Sequence, residues 1–120
     1  MTSGAITAPV VVARDPADWP GSVVGAGQSD VCVFYRRLAD AQAAASSNSL
    51  VFDGEGRRLL MVDGELRVSP TNSDGAQQLS ALLTSWLGYM DAIRGSAAGT
   101  PLPRLIELCV EHAAQCGLYR

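Results

Sequence analysis

Residues Ser49–Pro70 read SLVFDGEGRRLLMVDGELRVSP, and the spacing of apolar residues between two glycine-bearing turns decides the fold. Asp63-Gly64 is a strong short hairpin signal, because a two-residue type I′ turn needs positive φ at both central residues. With those residues at the centre, Val62 faces Glu65, Met61 faces Leu66, Leu60 faces Arg67 and Leu59 faces Val68. Strand side chains alternate, so Leu59, Met61, Leu66 and Val68 fall on one face. The earlier turn lies in Asp53-Gly54-Glu55-Gly56. Read as a loop of two or four residues, it brings Leu50 and Phe52 to the same face. The opposite face carries Asp53, Arg58, Glu65 and Arg67 beside Val51, Leu60 and Val62, so one face demands a cover and the other is half apolar.

Outward from this meander the chain reads as alternating breakers and periodic runs. On the C-terminal side, Thr71 with Asp74 three residues on resembles a capping box. A helix then runs to Ile93 or Arg94, stopped by Gly95. Its stripe of Leu79, Leu82, Leu83, Trp86, Met90 and Ile93 suits the apolar face of the meander. The reverse side of that helix is small: Ala81, Ser85, Gly88 and Ala92 lie within about 60° of one another on the wheel. Gly88 costs about 1 kcal/mol relative to alanine in a helix interior, and small residues permit another helix to come close. Pro101 or Pro103 opens a last helix through Leu102–Cys116. Leu102, Leu105, Ile106, Cys109, Ala113 and Cys116 form its stripe, while Arg104, Glu107 and Glu111 face outward. Gly117 caps its end and leaves Leu118–Arg120 as a tail.

On the N-terminal side, Pro9–Ala13 is a β-branched run that reads as a short strand, after residues 1–8 that fray. Asp15–Gly27 is punctuated by Pro16, Pro20, Gly21, Gly25 and Gly27 and reads as a loop. It carries Trp19, which serves either as a cap on the core or as a partner anchor, since tryptophan is enriched in binding hot spots. Ser29 or Asp30 caps a helix over Val31–Ala45, with Val31, Phe34, Tyr35, Leu38, Ala41 and Ala45 on one stripe. A strand at Val31–Tyr35 competes, given its β-branched and aromatic content; the longer helical period favours the helix.

The totals exclude more chemistry than the motifs supply. The 120 residues suit one domain, 1–120, with a core between packed layers. A net charge of −3 and no cluster of cations argue against a nucleic-acid binder. No apolar run approaches the roughly 18 residues of a membrane helix. All nine basic residues are arginine, which removes Schiff-base and P-loop lysine chemistry. An alanine- and arginine-rich chain without lysine fits a bacterial proteome of high coding GC content. Three cysteines do not make a disulfide framework, and no basic segment precedes the N-terminal apolar run. These features point to a cytoplasmic protein with reduced thiols.

Four constellations could carry chemistry. Cys109, His112 and Cys116 fall at i, i+3 and i+7 on one helical face, with ligand types that zinc prefers and Cys32 as a fourth. Their spread of roughly 10 Å along the axis suits a metal poorly, and the stripe position of both cysteines suits core packing. As a Cys–His nucleophile the same set lacks an electropositive niche and an orienting amide or acid. Gly25-Ala26-Gly27 opens like a dinucleotide fingerprint, but Asp30 stands at the third glycine position and no parallel βαβ unit follows. Glu107 with Glu111, and Asp53 with Asp63, are explained by solvation and by turn formation.

The expected architecture is therefore an α+β fold in the order β-α-β-β-β-α-α. Its antiparallel sheet has three to four strands, with the meander at 49–69, and is packed on one face by helices. The expected function is a small cytoplasmic, noncatalytic protein–protein interaction module, bacterial and homodimeric. It has no cofactor, nucleic-acid partner or membrane partner, and binds through Ala81, Ser85, Gly88, Ala92 and Trp19. The alternative is a small-ligand or metal-binding protein, conceivably a thiol enzyme, using the Cys109/His112/Cys116 face.

Overall fold

The computed structural model describes residues 6–15, 31–46, 49–70, 74–89 and 99–120. Strand β1 is Val10–Ala13, β2 Cys32–Tyr35, β3 Leu50–Phe52, β4 Arg58–Val62 and β5 Glu65–Val68; helix α1 is Leu38–Ala44, α2 Gly75–Tyr89 and α3 Leu102–Cys116. The strands form one antiparallel sheet in the order β2-β1-β3-β4-β5. The α+β class and the order β-α-β-β-β-α-α are present, with β2 as one further strand between β1 and α1. The sheet thus has five strands rather than three to four.

The second hairpin follows the sequence directly. Val62 pairs with Glu65, Met61 with Leu66, Leu60 with Arg67 and Leu59 with Val68. Asp63 and Gly64 take φ of 52° and 82°, the left-handed values that a type I′ turn requires. The first turn departs from expectation. Phe52 pairs with Arg58 and Val51 with Leu59, so the loop is Asp53–Arg57, an odd number of residues. A shift of one residue moves a strand's side chains to the opposite face. Val51, not Phe52, therefore shares the face of Leu59, Met61, Leu66 and Val68.

The second correction concerns Val31–Tyr35, which is strand rather than the start of a helix. Every residue of β2 is buried, Cys32 and Phe34 completely. A strand covered on both faces shows a continuous apolar run instead of alternation, which imitates part of a helical stripe. Pairing decides it, because β2 satisfies the free edge of β1 across Val10↔Tyr35, Val11↔Phe34, Val12↔Val33 and Ala13↔Cys32. The helix begins only after the exposed Arg36-Arg37, and Arg37, its N-cap, is still extended.

The outer edge of β2 is closed by the C-terminal residues. Gly117 ends α3 at φ 77°, the left-handed cap expected of glycine. The chain then turns alongside β2: Phe34 N–H donates to Leu118 O at 2.8 Å, and Arg120 N–H to Phe34 O at 2.7 Å. Leu118 is buried. The expected tail is a short parallel addition to the sheet.

Helices divide between the two faces. Trp86 of α2 packs edge-on against Phe34, with ring centroids 5.3 Å apart. By register Phe34 shares its face with Cys32, Val11, Ala13 and Phe52. The one-faced cover thus holds for α2 and α3, but it lies over β2 and its neighbours rather than over Leu59, Met61, Leu66 and Val68. The short α1 lies on the opposite face, where Ala44 shares a cavity wall with Val12, Val33 and Tyr35. Its Gln42 reaches the far edge of the sheet, with Oε1 accepting from the Leu66 N–H at 2.9 Å. Leu79, Leu82, Leu83 and Trp86 are buried as their spacing predicts, and Leu87 joins them. Met90, Ile93, Thr71, Ser29 and Asp30 lie outside the described residues. Among the described residues no helix is long and apolar enough to cross a membrane.

Candidate functional site

The packing of α2 against α3 decides what the cysteine–histidine face can do. Leu105, Ile106, Cys109 and Ala113 of α3 are buried, whereas Arg104, Glu107 and Glu111 face solvent. Arg104 pairs with Glu107 at 3.1 Å. Cys109 is fully buried, and its Sγ lies 4.0 Å from the carbonyl oxygen of Leu83. Burial pushes its thiol up to about 12. Burial also raises the Cys32 thiol well above its ordinary value, and Cys109 adds to that rise. A thiol so placed is neither a ready nucleophile nor a ready ligand, because both roles need the thiolate.

His112 and Cys116 are placed differently. Both are half-buried, and Cys116 Sγ lies 3.5 Å from His112 Nε2. The His112 ring stands edge-on to Trp86, with centroids 5.5 Å apart and planes at 66°. One side of the imidazole therefore rests on the core while the other meets the surface. Of the trio singled out by sequence, the structure brings two together and turns Cys109 inward. Among the described residues no group of three or more His, Cys, Asp or Glu side chains is placed to hold a metal ion.

The small-residue face of α2 is left uncovered by the described residues. Ala81, Ser85 and Gly88 are exposed, and a Cβ at Gly88 would meet no atom within 4 Å. The α3 helix lies on the other side, through Leu83 and Trp86. Ala92 and Trp19, the remaining interaction candidates, lie outside the described residues. The half-apolar sheet face proposed for Val51, Leu60 and Val62 is divided by the register. Val51 is buried, while Leu60 and Val62 are 40% and 42% exposed beside Arg67 and Glu65.

Sequence reasoning treated Asp53 as a turn former, and its burial makes it more than that. Its side chain is completely buried. Oδ1 accepts from the Glu55 and Arg57 N–H groups at 3.0 and 2.9 Å. Oδ2 accepts from Arg57 Nε and Nη2 at 2.9 and 2.7 Å, and from the Thr7 N–H at 3.3 Å. The hydrogen bond to Asp53, more than any other cause, raises the basicity of Arg57. Thr7 also donates its hydroxyl to Glu55, and its carbonyl accepts from the Gly54 N–H at 2.6 Å. A side chain at Gly54 would run into the backbone of Ala8, whose carbonyl carbon lies 2.8 Å from the Cβ position. This cluster is a structural lock joining the segment before β1 to the β3–β4 loop. The Asp-Gly-x-Gly-Arg spacing was its available signal.

Two open hollows are lined by described residues. One, of about 540 Å³, has a floor of Val12, Val33 and Tyr35 and a rim including Arg14, Asp15 and Arg120. The other, of about 620 Å³, follows the α1–β5 seam past Leu38, Gln42, Leu66 and Val68. No known protein family, no curated protein and no solved structure matches this chain.

Proposed function

We propose that the protein is a noncatalytic protein–protein interaction module that works as a homodimer in a bacterial cytoplasm. The observation that carries this reading is the uncovered small-residue face of α2. A surface helix that meets only water is best served by long charged side chains, which favour helix and solvation together. Here Ala81, Ser85 and Gly88 are exposed instead, with open space over Gly88. Gly88 lies one residue before the described end of α2 at Tyr89, where glycine costs less than the roughly 1 kcal/mol, relative to alanine, of a helix interior. Close approach of another helix offsets that cost, because backbones separated only by small side chains gain dispersion contact. A two-fold arrangement of α2 against its copy fits, since one patch then serves both subunits.

The test is Gly88→Leu, read by light scattering and by unfolding. Since a Cβ at Gly88 meets none of the described atoms within 4 Å, leucine should be accommodated there without weakening the isolated helix. The expected result is a dimer for the parent protein and a shift toward monomer for the variant, with the monomer no less stable. A parent protein that is monomeric at tens of micromolar refutes the homodimer, and a variant that dimerises unchanged refutes this face.

A further inference from the structure

We propose that His112 and Cys116 form a two-ligand chelate for a thiophilic divalent cation of the zinc type, at the C-terminal end of α3. The argument begins with spacing. Residues four apart on a helix lie one above the other on the same face, so both side chains reach one point without distorting the backbone. Zinc is bound at about 2.0–2.1 Å by imidazole nitrogen and about 2.3 Å by thiolate sulfur. At a tetrahedral angle those two bonds place nitrogen and sulfur about 3.5 Å apart. The observed separation from His112 Nε2 to Cys116 Sγ is 3.5 Å. The pair is already set at the edge length of a tetrahedral site.

Three features of the surroundings favour the same reading. Both residues are half-buried, so the ion has access from solvent, unlike a site at the enclosed Cys32 and Cys109. The edge contact with Trp86 restrains the imidazole ring and reduces the ordering needed on binding. Cys116 is the last residue of α3, where the helix dipole favours a positive charge in the final turn. On binding, the Cys116 thiol releases its proton to solvent, and the thiolate and the neutral imidazole each donate a lone pair to the cation. No third side chain of ligand type joins them among the described residues, so water fills the remaining positions and the ion stays open to further ligands. The donor set of one thiolate and one imidazole selects zinc-like ions over magnesium and calcium.

A thiol–imidazole hydrogen bond can have the same separation, and cobalt(II) titration of the full, reduced chain distinguishes the two. The expected signature is a sulfur-to-cobalt charge-transfer band in the near ultraviolet at one ion per chain, displaced by zinc. Cobalt should also quench Trp86 in a Trp19→Phe background, because His112 packs against that indole. Cys116→Ser and His112→Ala should each weaken binding at least about tenfold, the lower bound seen even for outer-shell partners, while Cys109→Ala should leave it unchanged. A measurement that needs no variant is alkylation of Cys116 in the native protein, which saturating zinc should slow at least about tenfold. Absence of the charge-transfer band, its survival in Cys116→Ser, or an alkylation rate indifferent to zinc would overturn the chelate and leave the contact a hydrogen bond.

Discussion

Asp53→Ala should cost the fold about 3–5 kcal/mol, the range for removing one member of a buried ion pair. The carboxylate is fully buried and holds Arg57 through two guanidinium nitrogens, together with three backbone N–H groups from Thr7, Glu55 and Arg57. Alanine removes the acceptor of those backbone donors and one partner of the Arg57 guanidinium, which keeps its ion pair with Glu55 at 3.6 Å, and each unsatisfied buried donor costs about 1–3 kcal/mol. The sum is smaller than the list implies, because Glu55 is exposed and the Arg57 side chain is 30% exposed, so water replaces part of what is lost. Asparagine retains the Oδ1 acceptor for Glu55 and Arg57 but gives up the charge, and should cost about 1–2 kcal/mol because the pair is partly screened. Equilibrium urea unfolding measures both. With a slope of about 1–3 kcal/mol per molar for a small protein, the alanine midpoint should fall by about 2 M. An alanine variant within about 1 kcal/mol of the parent, or an asparagine variant as damaged as alanine, refutes the view that this carboxylate fixes the β3–β4 loop.

Two further perturbations address the core and the sheet edge. Burial pushes Cys109 up to about 12 and raises Cys32 well above its ordinary value, so the folded chain keeps protons that the unfolded chain sheds from about pH 8.5. Stability is therefore full below that pH and falls as pH rises toward 12, by about 1.4 kcal/mol per pH unit for each thiol. Urea midpoints between pH 7 and 10.5 check this, and Cys109→Ala should remove one thiol's share of the slope, whereas an unchanged slope refutes the assignment. Gln42→Ala should cost about 1–2 kcal/mol, because it withdraws the acceptor 2.9 Å from the Leu66 N–H. An edge donor released in this way invites strand pairing between molecules, so size-exclusion profiles should become concentration-dependent; unchanged stability and elution would show that Gln42 does not guard this edge.

Legibility in the sequence followed the range of the interaction that set each element. The Asp63-Gly64 hairpin was readable because two adjacent residues impose its backbone angles, and the register of four pairs follows from them. The end of α3 was readable for the same reason at Gly117. The β3–β4 turn was not, although its residues are equally local. Its loop length depends on a buried carboxylate gathering Thr7 from outside the turn, and a one-residue difference exchanged the faces of Val51 and Phe52. Strand β2 failed for a longer-range reason. Its four residues are buried on both sides, so no period of two remains to be read, and only its pairing with β1 and the docked Leu118–Arg120 segment separates it from a helix.

The same division governs the candidate sites. Sequence spacing can say which residues share a helical face, and Cys109, His112 and Cys116 fall within α3 as one such set. It cannot say where on that face the protein interior ends. The boundary runs between Cys109, against the Leu83 carbonyl in the core, and Cys116, half-open beside His112. Two residues of one chemical type are thereby given opposite characters. One is a small hydrophobe whose proton is held by burial, and the other is a thiol within reach of an imidazole and of solvent. Ala81, Ser85 and Gly88 pose the converse case: their sizes suggested a neighbouring helix, and α3 packs elsewhere on α2. Among the described residues that face has no partner, and the homodimer reading is the proposal that a second copy of the chain supplies one.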